Sequence, residues 1–330
     1  MSTVFLIGNG FDLSCGMKTR YTDMYKDYCK IQENDTAIIK QFKQDISNNE
    51  YETWADFELG MAKYAKNFST ENDFLSCLWD FKKYLISYLK NQEITFGNRL
   101  KDRSLYFELI DEMKRSVNFF YSGISNNLDF EISRLNDGKY QYICFNYTDT
   151  FNKLGKNIDY TFFQDNYVAI HGVLDKDVVL GVDNAQQVNT TFSQSTNFSR
   201  SFIKPYFNKE FDSMRVFNAK RYIENANLIC TYGLSLGDTD LTWRELILQT
   251  LQKNPDSHLF YYSYDMITKT NLLKEQQLYF EEQEKKELAH KWQLKDDSEI
   301  LRKIHIPCGK QLFNIKEVIK NHKPENISVD

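Results

Sequence analysis

The first ten residues constrain the fold more than any other segment. Val4-Phe5-Leu6-Ile7 is a short, wholly apolar run, and Gly8-Asn9-Gly10 follows it at once. A run of that length without polar alternation reads as a strand buried on both faces, ended by a tight turn. Strands covered on both faces belong in parallel sheets flanked by helices. Similar runs recur at Tyr142-Ile143-Cys144-Phe145, Tyr167-Val168-Ala169-Ile170 and Leu228-Ile229-Cys230-Thr231-Tyr232, each ended by a polar or glycine-containing turn. Leu259 to Tyr262 resembles one more.

Between these runs the periodicity changes. From about Tyr21 to Tyr121 apolar residues fall three and four apart, as in Trp54, Phe57, Met61, Tyr64 and in Leu75, Leu78, Trp79, Lys82, Leu85, which predicts several helices. A helix is expected over Leu241 to Leu251 with Asp238 and Asp240 as caps, and a long charged helix from after Asp265 to about Lys291, its charges solvated. Segment 183–203, rich in Asn, Gln, Ser and Thr, reads as a loop or lid. The expected class is α/β, a doubly wound, mostly parallel, Rossmann-like sheet with a helical insertion after the first strand. On this reading, residues 1–20 and 140–265 form the nucleotide-binding core. Residues 21–139 form the helical insertion packed over the site, and 266–330 a charged helix and tail.

Composition narrows the class of partner. Four Pro and 13 Gly in 330 residues exclude collagen-like and Pro-rich architectures, and 50 aromatic residues supply ample apolar area for a core. With 41 basic and 46 acidic residues the net charge is −5, so no global field draws the chain to phosphate backbones or anionic lipid. No stretch reaches the ~20 apolar residues of a membrane span, and the N-terminus has no basic leader, so a cytoplasmic protein with no membrane partner is expected. The six cysteines stand far apart without a C-x-x-C pair and read as small buried hydrophobes.

In an open α/β sheet ligands sit beyond the carboxyl ends of the strands. Those ends are polar here: Gly8-Asn9-Gly10-Phe11-Asp12, Asn146-Tyr147-Thr148-Asp149, His171-Gly172 and Gly233-Leu234-Ser235-Leu236-Gly237-Asp238. Gly8 and Gly10 permit close approach of a phosphate or ribose, or simply make a tight turn. Asp12 beside them either meets a ribose hydroxyl or caps the following helix. His171 at a strand exit stands where a general base would, or is a satisfied structural histidine. Asn146 offers a carboxamide to a water or ribose hydroxyl, or is a turn residue. At 100° per residue, Glu58 falls about 40° from Trp54, on the apolar stripe, while Asp56 falls near 200° on the opposite side. A carboxylate on such a stripe is a buried structural pair or a site residue.

The ordered set Gly8-Asn9-Gly10-Phe11-Asp12, Gly16-Met17-Lys18-Thr19-Arg20-Tyr21, Trp54-x-Asp56-Phe57-Glu58, Phe145-Asn146-Tyr147-Thr148-Asp149, His171-Gly172 and Tyr232-Gly233-Leu234-Ser235-Leu236-Gly237-Asp238-Thr239-Asp240 resembles the AbiH family of bacteriophage abortive infection proteins. That resemblance implies an anti-phage role in which the infected cell is halted before phage release. A more distant one, to sirtuin-like NAD-binding domains, rests on Gly8, Gly10 and Gly16, then Asn146, then His171-Gly172, then Gly233-Leu234-Ser235-Leu236. Asn9 and Asp12 depart from the sirtuin pattern, Lys18 and Tyr21 stand where sirtuins place Pro and Arg, and the paired C-x-x-C motifs of the zinc ribbon are missing, which argues against protein deacylation.

Together the resemblances imply NAD or a related nucleotide as substrate, cleaved at the N-glycosidic bond without a metal. Asn146, His171, Glu58 and Asp12 would be catalytic, and Gly8, Asn9, Gly10, Phe11, Tyr21, Gly233, Ser235 and Asp238 would bind the nucleotide. A homo-oligomer and an unknown phage-derived trigger are the expected partners. Two other readings stay open. One is a nuclease acting on tRNA or DNA, with Asp12, Glu58, Asp149, Asp238 and Asp240 holding Mg²⁺. The other is a non-catalytic nucleotide sensor.

Overall fold

The computed structural model describes residues 2–48, 54, 56–127, 140–157, 165–295, 298–309 and 312–323. Six strands, β1 (Ser2–Ile7), β2 (Tyr140–Cys144), β3 (Tyr167–Ala169), β4 (Ala226–Tyr232), β5 (His258–Tyr262) and β6 (Ile304–His305), form one sheet of order β3-β2-β1-β4-β5-β6. Every pairing is parallel. The chain builds outward from β1 to β3, then returns to the other side of β1 for β4 to β6, so the order reverses between β1 and β4. That reversal opens a crevice at the carboxyl edge, the hallmark of a Rossmann-like, doubly wound sheet.

β1 is central because its four apolar residues, all without solvent exposure, serve both faces. Side chains alternate along a strand, so Phe5 and Ile7 join Tyr142, Cys144, Leu228 and Tyr232 on one face, while Val4 and Leu6 join Ile143, Ile229 and Leu259 on the other. The first face is covered by α1 (Gly10–Ser14), α6 (Arg103–Asn127), α7 (Thr150–Gly155) and α13 (Ile315–Asn321). The second is covered by α10 (Ser213–Glu224), α11 (Leu241–Lys253) and the end of α12 (Lys274–Lys291).

Helices α2 (Tyr21–Tyr28), α3 (Ala37–Asn48), α4 (Phe57–Tyr64), α5 (Glu71–Arg99) and α6 lie between β1 and β2 in sequence, within the stretch read as a helical insertion. Of these, α2 to α5 carry a separate aromatic core in which Phe57 and Phe81 stack at 3.4 Å between ring centroids, while α6 packs on the sheet. Residues 128–139, 158–164 and 324–330 of the expected core, insertion and tail lie outside the described residues.

Three local expectations change. Segment 183–203 is not a free loop: α8 (Thr196–Phe202) plugs Phe198 and Phe202 against Phe74 of α5, and the Ser195 hydroxyl donates to Glu71 at 2.6 Å. It leads directly into α9 (Lys204–Phe211). Trp79, placed on the apolar face by its spacing, is 55% exposed. The region after residue 265 contributes to the core, since β6 extends the sheet and Trp292 packs edge-on against Tyr261. His322 then ties α13 back to α6, between Asp102 at 2.9 Å and Glu108 at 3.2 Å.

The turn after β1 is joined to the turn after β4 through backbone alone. Gly10 N–H donates to the Gly233 carbonyl at 3.0 Å, and Gly8 N–H donates to the Tyr232 carbonyl at 2.9 Å. A Cβ on Gly10 or Gly233 would overlap the Cα of the other, and Gly233 has φ +62°. We expect Gly233→Ala to destabilise the chain by at least about 2 kcal/mol, from steric overlap and left-handed strain together. Urea unfolding would show a lowered midpoint with an unchanged slope, and a wild-type midpoint would contradict the packing described here.

Candidate functional site

The turns after β1, β2, β3 and β4 deliver polar side chains inward, among them Asp12, Asn146, His171 and Asp240. Asp12, on the first turn of α1, is 1% exposed; its Oδ2 accepts from the Thr148 hydroxyl at 2.5 Å, and its Oδ1 has no hydrogen-bond partner among the described residues. Among the described residues no cation pairs with it. Burial pushes the Asp12 carboxyl up to about 7, against relief from Thr148 and the nearby Asn146. Asn146, just past β2, is 5% exposed, and neither atom of its carboxamide completes a hydrogen bond with a described residue.

His171 stands one turn past β3, its Nδ1 3.1 Å from the Phe145 carbonyl oxygen and its Nε2 3.4 Å from Asp240 Oδ1. Burial and the Lys204 charge lower its pKa, while Asp240 opposes them. Gly172 after it has φ +77°, and a Cβ there would overlap the Asp177 carbonyl. The His-Gly pair is therefore required by the turn as well as by any chemistry.

Glu58 lies in the first turn of α4, whose N-cap is Asp56, accepting from Leu59 N–H at 3.1 Å. Asp56 thus caps the helix end instead of lying on its outer face. Glu58 is buried: Oε1 accepts from Gly181 N–H at 2.9 Å, and Oε2 lies 3.3 Å from Lys204 Nζ. Burial pushes its carboxyl up to about 7, with Lys204 pulling the other way.

Lys204 is the partner that the sequence did not reveal. Its ammonium, 4% exposed at residue level, donates to the Thr239 carbonyl at 2.8 Å and lies 3.3 Å from both Glu58 Oε2 and Asp240 Oδ1. Burial pulls its pKa down, but Asp240 and Glu58 together hold it above its ordinary value. Burial likewise pushes Asp240 up, yet Lys204 and His171 hold it well below the usual carboxylate range. Tyr147 closes the group, donating to the Val179 carbonyl at 3.3 Å beside Glu58, with the Tyr21 hydroxyl next to it. The only sequence hint of Lys204 was its place between the apolar pair Phe202-Ile203 and Pro205.

The expected binding residues do not all join this cluster. Asn9, Gly10, Gly233 and Ser235 line a cleft of about 1870 Å³ over the ends of β1, β4, β5 and β6, which also carries Arg20, Arg115 and Lys274. Asp12, Asn146, His171 and Glu58 are not among its walls. The amides of Gly8, Gly10 and Phe11 are already bonded within the turns, and the Asn9 side chain is held by Thr19. Phe11 is buried among Phe151, Tyr232 and Phe313; Tyr21 packs on Phe57 and Phe81; Asp238 is exposed and pairs with Arg244 at 3.3 Å.

The acids read as a possible Mg²⁺ set are dispersed into separate contacts: Asp12 with Thr148, Glu58 and Asp240 with Lys204, Asp149 with Asn152, and Asp238 with Arg244. Among the described residues no three His, Cys, Asp or Glu side chains stand together as metal ligands, and no described helix is long and apolar enough to cross a membrane.

Asp12 also couples stability to pH. Its carboxyl holds a proton up to about 7 in the folded chain but loses it near 4 when unfolded. Folding therefore binds a proton in that interval, so stability falls as pH rises from about 4 to 7 and stays low above. We expect Asp12→Asn to remove this loss, stabilising the chain by about 1–4 kcal/mol at pH 8 and by much less near pH 4. Urea unfolding at the two values checks it, and equal effects at both would contradict the placement of Asp12.

No curated protein and no solved structure matches the chain. Residues 4–262 match the family described as Bacteriophage abortive infection AbiH, and this span holds β2 to β5, most of β1 and every catalytic or binding residue expected from the sequence. The chain therefore belongs to the AbiH family of bacteriophage abortive infection proteins.

Proposed function

We propose that the chain acts in abortive infection as an effector that binds NAD, or a related nucleotide, at the carboxyl edge of the sheet and cleaves its N-glycosidic bond. One observation carries this reading. Asp12 Oδ1, both amide atoms of Asn146 and His171 Nε2 are buried without hydrogen-bond partners among the described residues, all at the exits of β1, β2 and β3. Buried polar groups are nearly always satisfied, and each one left unsatisfied costs roughly 1–3 kcal/mol. A group of three therefore fits hydrogen bonds supplied by a ligand.

The charge balance fits the same chemistry. Glu58, Asp240, Asp183 and Asp56 surround the Lys204 ammonium, so acids outnumber the cation. The N-glycosidic bond of NAD breaks through an oxocarbenium-like transition state, which nearby carboxylates stabilise. Asn146 orients the attacking water or a ribose hydroxyl. The water oxygen bonds to the anomeric carbon, the carbon–nitrogen bond breaks with its electron pair going to nicotinamide, and the water proton passes to His171 Nε2. A base in that position contributes ~10²- to 10⁴-fold. Ser235 and Arg20 in the cleft take the phosphates, since the Gly8, Gly10 and Phe11 amides are already bonded.

Total NAD measured through a phage infection tests the reading in bacteria making the wild-type chain, His171→Ala or Asn146→Ala at matched levels. NAD is expected to fall with the wild type alone. NAD that stays level while wild-type cells still stop growing overturns the reading and points to tRNA or DNA as the target. Protection retained by His171→Ala with no change in NAD points to the sensor.

A further inference from the structure

His171 is constrained at both ring nitrogens by groups of opposite character. The Phe145 carbonyl, 3.1 Å from Nδ1, can only accept, so Nδ1 carries the proton of the neutral ring. Nε2 is then a bare lone pair, 3.4 Å from Asp240 Oδ1 and outside hydrogen-bonding geometry. In the neutral ring a lone pair faces a carboxylate. In the protonated ring, one N–H meets a carbonyl and the other meets an anion, so the arrangement suits the state reached after a proton is accepted.

Asp240 is itself held. Lys204 Nζ lies 3.3 Å from the same Oδ1, and Lys204 is fixed in turn by Thr239 at 2.8 Å and Glu58 at 3.3 Å. The other groups facing the imidazole are the rings of Phe145 and Tyr147, at 5.4 and 6.0 Å between centroids, with Glu58 beyond the Tyr147 hydroxyl.

We propose that Asp240 is a positioning residue that receives His171 as the imidazolium once Nε2 has taken a proton, the Phe145 carbonyl setting the tautomer of the neutral ring, and that Lys204 fixes Asp240 for that task. The proposal rests on His171 acting as the base. An O–H bond of water or a ribose hydroxyl breaks, its electron pair stays on oxygen, and the proton forms an N–H bond at Nε2 within reach of Asp240. The arrangement differs from the carboxylate–histidine pairing of hydrolases, in which the carboxylate holds the nitrogen opposite the reacting one: the Phe145 carbonyl has that place, and Asp240 stands beside the reacting nitrogen. Here a lysine from a separate helix, α9, grips the carboxylate.

Nitrogen-15 NMR of the histidine side chains in the full-length chain tests this without a substrate. There are five histidines, and His171→Gln assigns the signal. At pH 8 the Nδ1-protonated tautomer is expected in the wild type; the Nε2-protonated tautomer overturns the proposal. Asp240→Asn is expected to lower the His171 titration midpoint and Lys204→Met to raise it, each by at least about half a pH unit, because one variant removes an anion and the other a cation. If Lys204→Met does not fold, the double variant Asp240→Asn/Lys204→Met, which removes one charge of each sign, is expected to bring the midpoint back toward wild type.

Shifts in the same direction, or none, overturn the proposal whether or not the chain cleaves a nucleotide. If NAD cleavage is observed, the acid limb of its pH profile is expected to move with the midpoint in each variant. Opposite shifts in a chain that leaves NAD intact support the Asp240–His171 arrangement and defeat the glycohydrolase reading alone.

Discussion

The contact between the Gly10 and Gly233 backbones sets the geometry of the whole carboxyl edge. β1 pairs with β2 on one side and β4 on the other, and the turns that leave β1 and β4 meet with no side chain between them. That approach lets the segment after β4 bring Asp240 to within 3.4 Å of His171 beyond β3. It also divides the edge. One part, over β4 to β6 and the turn after β1, is an open cleft, and the other, toward β2 and β3, lies under α4, α8 and α9 and holds the buried polar groups.

The covered part is costly to build. Removing a carboxylate or ammonium from water costs several kcal/mol, and the mutual attraction of Lys204, Glu58 and Asp240 offsets that only because each charge also meets a backbone group or a second ion. Among the described residues Asp12 has no such compensation from a cation, and the Asn146 carboxamide has no hydrogen-bond partner. A cluster that weakens the fold while concentrating unfilled donors and acceptors is the pattern expected of a functional site, where local rules are broken and stability is supplied elsewhere. The stabilising elements are close by, in the aromatic packing of α4, α5 and α8 around Phe57, Phe81 and Phe74.

The glycines carry a second lesson. Gly8, Gly10, Gly172 and Gly233 all belong to motifs that read as ligand-binding turns, yet each has a neighbouring backbone that would collide with a Cβ. Close approach was the right inference, but the approaching group is the protein's own main chain. A bulky residue at Gly10 therefore disturbs folding before it disturbs a ligand, and the proposed chemistry is better probed at His171, Asn146 and Asp240.

Much of the architecture was legible along the chain. The apolar runs at β1, β2, β4 and β5 marked buried parallel strands, because a strand covered on both faces has no polar alternation to disguise it. The polar residues just past those runs marked the edge where a site could form, and Asp12, Glu58, Asn146 and His171 were all named from position alone. The edge strand β6, two residues long, gave no periodicity to detect. The stripe read from Trp54 holds for Phe57, Glu58 and Met61, all buried, and only Asp56 differs, because it caps α4 instead of lying on its outer face. What only the tertiary structure decided is the pairing. Lys204 and Asp240 lie 36 residues apart in sequence, and Lys204 and Glu58 lie 146 apart. Sequence spacing reports only the neighbours that a helix or strand places side by side, whereas ion pairs across the roof depend on how separate elements dock. The sequence thus determined which side chains reach the edge of the sheet, and docking determined which of them meet.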